Sequence, residues 1–450
     1  MNFKPVLLRT ISATACAALP VAAGASGFQL LEQSAAAQGT AFAGTAAAAD
    51  DASTVFFNPA GLAYLPPEKE SFAANISAVQ PSAKFANRAS VAPLLQTVGN
   101  DNGGDAGSLA WLPSLYFTRP IDSKLTLGIA LNVPFGLMTQ YSAGWAGRFE
   151  GVKSDVRTMN LNPSVCYRVS DRAAIGVGVN YQQLDGEFTS AVNYAGAVFA
   201  ATGNAGLASA AGEGTGKLTG SNSTWGYNFG VLFDLTPDTR LGVSYRSSMK
   251  YHLTGTGDFS RTSNAVVNTI LSAPTSSARG GAIYSDIELP DTLTLSTLTH
   301  LDDQWDLVSD LAWTGWSKIP DLTFHYENNG SVVSTTRENW RDTWRVAVGS
   351  IYRYNDTWKA RVGLAFDQTP VTDTERTVRL PDNDRTWFSL GGQYRLNRNA
   401  AFDVAYSYLM VNDSTINNNG GDATTFKYGR LNGTYANNVN ILSLQFSLAF

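Results

Sequence analysis

Segments of about ten residues in which apolar and polar side chains alternate recur along this chain from Trp111 to its last residue, the period of a strand with two different faces. In "TWGYNFGVLFDL", Trp225, Tyr227, Phe229, Val231, Phe233 and Leu235 share one face, and Thr224, Gly226, Asn228, Gly230 and Asp234 the other. "AAIGVGVNYQ" sets Ile175, Val177, Val179 and Tyr181 against Gly176, Gly178, Asn180 and Gln182. A soluble sandwich needs apolar inner faces on two sheets; here the polar, small-residue face suits a wet lumen and the apolar face suits lipid.

The connections alternate in length. Tight turns are expected at "RPIDSK", "VSDRA", "TPDTR", "LDDQW", "YNDTW" and "LNRNA", and long connections over about 186–223, 254–288 and 412–438. Short periplasmic turns facing long external loops are the rhythm of an outer-membrane barrel. Counting from the strand near Phe72–Val79 to the one near Val439–Phe450 predicts an all-β fold, a 14-stranded antiparallel transmembrane β-barrel with both ends on the periplasmic side. Trp225, Trp305, Trp313, Trp344, Trp358 and Tyr408 fall near strand ends, as interfacial girdles require.

Lys4 and Arg9 precede the apolar "ISATACAALPVAA", which ends in Ala23-Gly24-Ala25, so residues 1–25 read as a signal peptide cleaved before Ser26. Cys16 then leaves with the leader, and Cys166 alone can form neither an intramolecular disulfide nor a cysteine metal cage. With 44% apolar residues and no later unbroken apolar run of 18, helical spans are excluded. The formal charge of −5 becomes −7 without Lys4 and Arg9, which gives nucleic acid no basic surface.

Residues 26–70 lack the alternation and are dominated by Ala, Gly and Ser, yet they carry Phe28, Leu30, Leu31, Phe56 and Phe57 and an Asn58-Pro59-Ala60 turn. A barrel of this size cannot fill its lumen with its own side chains, so the segment is expected to be a hatch folded inside residues 71–450. "SGFQLLEQSAAAQGTAFAGTAAAADDASTVFFNPAGLAYL" resembles the N-terminal hatch of the FadL family of outer-membrane long-chain fatty acid and hydrophobic-compound transporters, with Asn58-Pro59-Ala60 at its hatch motif. The likeness continues through "VPFGLMTQYSAGWAGRFEG", "RTMNLNPSVCYRVSD", "WRDTWRVAVGSIYRYNDTWKARVGLAFDQTPV" and "LPDNDRTWFSLGGQYRLNRNAAFDVAYSY".

The resemblance implies ligand-gated passive passage of hydrophobic molecules with lateral exit through the wall of a Gram-negative outer membrane. Long-chain fatty acids are the first expectation; neutral aromatic or aliphatic hydrocarbons, and a general porin, are the alternatives. It places an external groove at Val198, Phe199, Leu207, Val267 and Ile270, a ligand pocket at Phe28, Leu30, Leu31, Phe56 and Phe57, and a wall gap at Pro134, Phe135 and Gly136. There Pro134 cannot donate to the ladder and Gly136 frees the backbone.

A carboxylate ligand would need a cation. Strand parity turns Arg246, Arg345, Arg361, Arg385 and Arg395 inward, with Asp310, Asp367 and Asp403; Arg341 stands where the family often has lysine. Arg341, Arg345 and Arg246 are the candidate carboxylate partners, although "QQLDGEFTSA" lacks a basic residue some fatty-acid members carry. His252, His300 and His325 lie at strand ends without a nucleophile signature, so neither catalysis, a metal nor a cofactor is expected. The expected partners are the hydrophobic ligand, outer-membrane lipid and lipopolysaccharide, and the barrel assembly machinery reading a terminal strand that closes in Phe450; the chain is expected to be a monomer.

Overall fold

A computed structural model describes residues 27–418 and 427–450. The expected leader lies outside the described residues, as does part of the last external connection. Twenty strand segments form one antiparallel sheet. Six barrel strands are each built from two consecutive segments: the third (Leu125–Asn132, Gly136–Gln140), seventh (Thr239–Arg246, Met249–Phe259), eighth (Gly281–Leu289, Thr292–His300), ninth (Trp305–Thr314, Asp321–Tyr326), tenth (Val332–Arg337, Thr343–Arg353) and thirteenth (Ala400–Val411, Ser414–Asn418). Joining them leaves a closed barrel of 14 strands. The first strand, Ser71–Asn87, pairs with the last, Leu431–Ala449, from Ser71↔Ala449 to Asn87↔Gly433. Just outside that ladder Glu70 and Phe450 exchange backbone hydrogen bonds at 3.0 and 2.9 Å, so no edge is left at the seam.

The alternation read from the sequence is the inside–outside pattern of the wall. On the fifth strand, Ala173–Val192, Ile175, Val177, Val179 and Tyr181 face out, while Asn180 and Gln182 are buried inward. The sixth, Gly214–Thr236, exposes Trp225, Tyr227, Phe229 and Phe233. Four periplasmic turns repeat one device. The side-chain oxygen of Asp122, Asp302, Asn355 or Asn397 accepts the backbone N–H groups two and three residues on, an Asx turn that leads straight into the next strand. Trp305 stacks near Tyr352 and Trp358 near Tyr394 at this end, with ring centroids 4.5 and 4.7 Å apart.

The external connections are shorter than the sequence suggests, because several strands run on beyond the lipid. The fifth and sixth strands stay paired as far as Val192↔Gly214, the seventh and eighth as far as Gly257↔Gly281, and Ser414–Asn418 pairs with the last strand. Outside the membrane neither face meets lipid, so stretches such as "KLTGSNST" need no apolar alternation and read as loop. Helices Tyr194–Thr202, Ala205–Ala211 and Ala265–Leu271 fill the remaining connections, each with an asparagine cap: Asn193, Asn204 and Asn264.

Residues 27–70 occupy the lumen as three one-turn helices, Ala35–Gln38, Thr45–Ala48 and Thr54–Phe57, followed by a 3-10 turn, Pro59–Tyr64. The wall supplies what so short a fold cannot. Asp310 accepts from Gly44 N and Thr45 Oγ1 at 2.8 Å, and Ser296 Oγ from Ala46 N at 2.9 Å, so the second helix is capped by the barrel. Asn58 is fully buried; its Oδ1 accepts Ala60 N at 3.0 Å, and its Nδ2 donates to Ala46 O (2.6 Å), Val231 O (3.1 Å) and Val243 O (3.4 Å). The motif sits against two wall glycines paired in register, Gly176 and Gly230. A Cβ on Gly230 would overlap Asn58 Oδ1, and one on Gly176 would overlap the Pro59–Ala60 peptide.

Candidate functional site: a hatch joined to a break in the wall

Along the third strand the ladder to the second strand, Ala110–Pro120, stops at Leu115↔Leu131 and resumes eight residues on in both strands, at the isolated bridge Gly107↔Thr139. The register is therefore kept, and the interruption is a bowing of one strand rather than a slip. Pro113 and Pro134 both fall within it, each lacking a donor. The unpaired edge runs roughly 26 Å at about 3.3 Å per residue. Lipid-facing Leu109, Trp111, Leu115 and Leu131 rim it.

The bowed backbone is satisfied from inside. Leu30 N donates to Pro134 O at 2.8 Å and Gly136 N to Phe28 O at 3.0 Å, an antiparallel bridge centred on Gln29↔Phe135. The Gln33 side chain donates to Val133 O at 2.8 Å and accepts Val133 N at 3.4 Å. The same side-chain oxygen accepts Ser114 Oγ of the second strand at 2.8 Å, and Tyr116 Oη donates to Gln33 O at 2.9 Å. Gln33 thus clips both sides of the break. Thr158 of the fourth strand, Lys153–Ser170, completes the set by bonding Phe135 N and O.

Above the break, on the external side of the hatch, Phe28 lies in an aromatic box. Its ring centroid is 5.8 Å from Phe135, 5.1 Å from Trp316 and 5.9 Å from Trp340. Leu184, Met249, Tyr251, Leu253 and Leu380 extend the apolar surface around it. Trp316 and Trp340 were not singled out from sequence. The signal was there in part: Gly315 ends the alternation after Trp313, so Trp316 escapes the outward face that Trp313 and Trp344 share.

The expected pocket residues separate into two places. Phe28 packs in the aromatic box, and Leu30 lies under the break, where a Cβ on Gly136 would meet Leu30 Cδ1 at 2.9 Å. Leu31, Phe56 and Phe57 line a different cavity of about 70 Å³ beside the hatch, together with Phe42, Arg246 and Arg345. A smaller one of about 30 Å³ lies among the hatch helices.

Of the three candidate cations, Arg341 is displaced. It is exposed on the connection before the tenth strand's inner segment, with Nε bonded to Thr369 O at 3.1 Å. It precedes the segment that begins at Thr343, so it lies outside the strand. Arg345 is buried and bonded to Ala41 O, with Asp310, Asp367 and Glu32 as charged neighbours. Arg246 bonds Asn180 Oδ1 and Phe56 O and lies over the Phe56 ring, with no carboxylate partner among the described residues. Arg361 is paired with Asp403 and Asp50, Arg385 with Asp382, and Arg395 is exposed at the periplasmic mouth.

The external residues also divide. Val198 and Val267 are fully buried between the loop helices, with Phe199, Leu207 and Ile270 packed around them. These two therefore hold the helices together rather than lining an open groove. Helices of so few residues have no other apolar support.

Glu338, on the same external connection as Trp340, is buried, and desolvation pushes its pKa from the ordinary 4.5 up to about 8, with Arg379 opposing the rise and Glu375 adding to it. The folded state then holds a proton that the unfolded state has lost between these values, so this contribution is full below about pH 4.5 and lost as pH rises through about 8. The protection of residues 338–342 against hydrogen exchange, taken relative to the intrinsic rate at each pH, is expected to fall across that range in the native protein and to stay flat in Glu338→Gln.

The family model for outer membrane protein transport proteins (OMPP1/FadL/TodX) matches residues 15–450. A long-chain fatty acid transport protein of Salmonella typhi is 31% identical over 425 residues, covering 93% of this chain and 95% of that one. Among solved structures, a Pseudomonas aeruginosa FadL homologue superposes with a TM-score of 0.84 at 24% identity, covering 94% of this chain and 99% of the other. The Pseudomonas putida toluene transporter TodX gives 0.65 at 15% identity, covering 95% and 99%. The hatch, the bowed third strand and the closed barrel thus stand in a chain that belongs to the OMPP1/FadL/TodX family of outer-membrane transport proteins.

Proposed function

We propose that this protein carries long-chain fatty acids across the outer membrane by passive, ligand-gated diffusion with lateral exit. The observation that carries this reading is the bridge between hatch and wall: Phe28 forms part of the aromatic box, and the backbone of Phe28 and Leu30 bonds the backbone of the break. A ligand that takes the place of Phe28 must release Pro134 and Gly136. The wall then loses the partners that hold it closed from within.

Magnitudes favour a long chain. Freeing the two bonds to Pro134 and Gly136 and the two between Gln33 and Val133 at about 1 kcal/mol each, and re-exposing a phenylalanine at roughly 2–3, costs about 6–7 kcal/mol. An acyl chain of about sixteen methylenes at ~0.8 kcal/mol each gains roughly 13 kcal/mol on leaving water, whereas toluene with about seven carbons gains roughly 6. The relatives named as long-chain fatty acid transport proteins support the same substrate class. Uptake of neutral hydrocarbons is the second reading, favoured by the aromatic box and by the fold shared with the toluene transporter. A general porin needs an open lumen, which the hatch fills.

Arg246 is the cation best placed for a carboxylate, since a half-buried guanidinium with no counter-ion among the described residues gains a charge-assisted pair when the ligand arrives. Labelled oleate and labelled toluene, offered to cells lacking their own transporter, test the reading. Oleate uptake dependent on this protein is expected; toluene uptake without oleate overturns it. Arg246→Gln is expected to lower oleate uptake by about tenfold, the weight of one charged hydrogen bond, and to leave toluene unchanged. Recognition of Phe450 by the assembly machinery, contact with lipopolysaccharide and a monomeric state complete the proposal.

A further inference from the structure

Between the apolar pocket and the hatch motif the inner wall carries a strip of amides. On the fifth strand the inward positions run Gly176 against the hatch, then Gly178, Asn180 and Gln182, then Leu184 beside the aromatic box. Across neighbouring strands Asn160 donates to Asn132 at 3.1 Å and to Asn180 at 3.0 Å, and Asn162 and Asn180 both donate to Asn228 Oδ1, at 2.9 and 3.0 Å. All five asparagines are at least 98% buried. Asn132 immediately precedes the break, and Arg246 ends the strip, paired in register with Asn228 and bonded to Asn180.

The strip is left incomplete. Asn132 Nδ2, Asn228 Nδ2, Asn160 Oδ1, Asn162 Oδ1 and Ser164 Oγ are buried without a hydrogen-bond partner. Unmet donors and unmet acceptors lie side by side, so what would satisfy them must do both. Gly178 lets the strip close over the wall, because a Cβ there would run into Ser164, Asn162 and Asn228. A wall selected only for rigidity would pair such groups or replace them by apolar ones.

We propose that this amide strip is a binding site for the carboxyl head group of an amphiphile whose tail lies in the pocket above it. The proposal rests on the fatty-acid reading. A carboxyl group accepts from the free amide N–H groups and from Arg246 and, when protonated, donates to the free carbonyl oxygens. The head is held at the lower edge of the break while the tail turns out through it, past the Leu115–Leu131 pair, into lipid. A neutral hydrocarbon gains nothing from the strip.

The test measures uptake of labelled oleate and labelled 1-octadecene by the full-length protein in cells lacking their own transporter. Native protein that takes up octadecene but no oleate overturns the fatty-acid reading itself. With oleate uptake in hand, Asn160→Leu with Asn228→Leu is expected to lower it about tenfold and octadecene uptake less than twofold. Equal losses for both ligands, or no loss for either, overturn the strip as a head-group site. If the leucine pair does not reach the outer membrane as a heat-modifiable barrel, Gly178→Ala takes its place. It pushes one methyl group against Ser164, Asn162 and Asn228 and so displaces the strip; an oleate-selective loss is again expected, with an unselective one overturning the proposal.

Discussion

Cysteines at Gln29 and Phe135 are expected to abolish oleate uptake under oxidising conditions, and a reductant is expected to restore it. The two residues face each other in the antiparallel bridge between hatch and wall, where Cα atoms stand about 4.5–5.5 Å apart, within the reach of a disulfide. The bond would tie Phe28 into its box and keep the backbone of the break occupied. If ligand entry displaces the hatch N-terminus, nothing can pass. The native Cys166 is buried against Ala60 O and does not compete. Single cysteine variants control for the lost bonds between Gln29 and Thr292 or Thr314. Uptake unchanged in the oxidised double variant would mean that the N-terminal bridge stays closed during transport.

The second large effect is expected from Gly176→Val with Gly230→Val. Both glycines face the lumen, pair with each other, and receive the Asn58-Pro59-Ala60 motif at backbone contact. Side chains there leave no room for the motif, and Asn58 then loses its bonds to Ala46, Val231 and Val243. At about 1 kcal/mol per bond, and more for carbonyls left buried, several kcal/mol of hatch docking are lost. The barrel ladder is untouched, since it depends on backbone groups that valine supplies as well. The protein should therefore assemble, take up oleate poorly, and conduct small hydrophilic solutes in planar bilayers. An assembled variant that remains closed and transports normally would show that the motif does not hold the hatch.

Both predictions rest on contacts that a linear reading could not supply. The glycines of the fifth and sixth strands were visible as small residues on an inward face, but their purpose depends on a turn more than a hundred residues away. Pro134 and Gly136 announced a fault in the third strand; that Gln33 clips it to Ser114 and Val133 was hidden, because a buried glutamine near the start of a chain has no periodic signature. Arg341, expected near the ligand from the family likeness, stands exposed on a connection and bonds Thr369 O.

The barrel itself was legible because lipid imposes a local rule: every spanning strand must show apolar side chains outward at every second position, and a short turn must follow a long one. Period, strand number, closure at Phe450 and the inward direction of Arg246 and Arg345 follow from that rule alone. It lapses wherever a segment leaves the membrane, which is why the outer halves of the strands read as loop. What tertiary structure decided is how the non-periodic hatch uses the wall: Asp310 as its helix cap, paired glycines as its seat, the bowed strand as its partner. Each of these joins residues far apart in sequence through directional hydrogen bonds and close backbone packing, and such contacts leave no period in the chain that makes them.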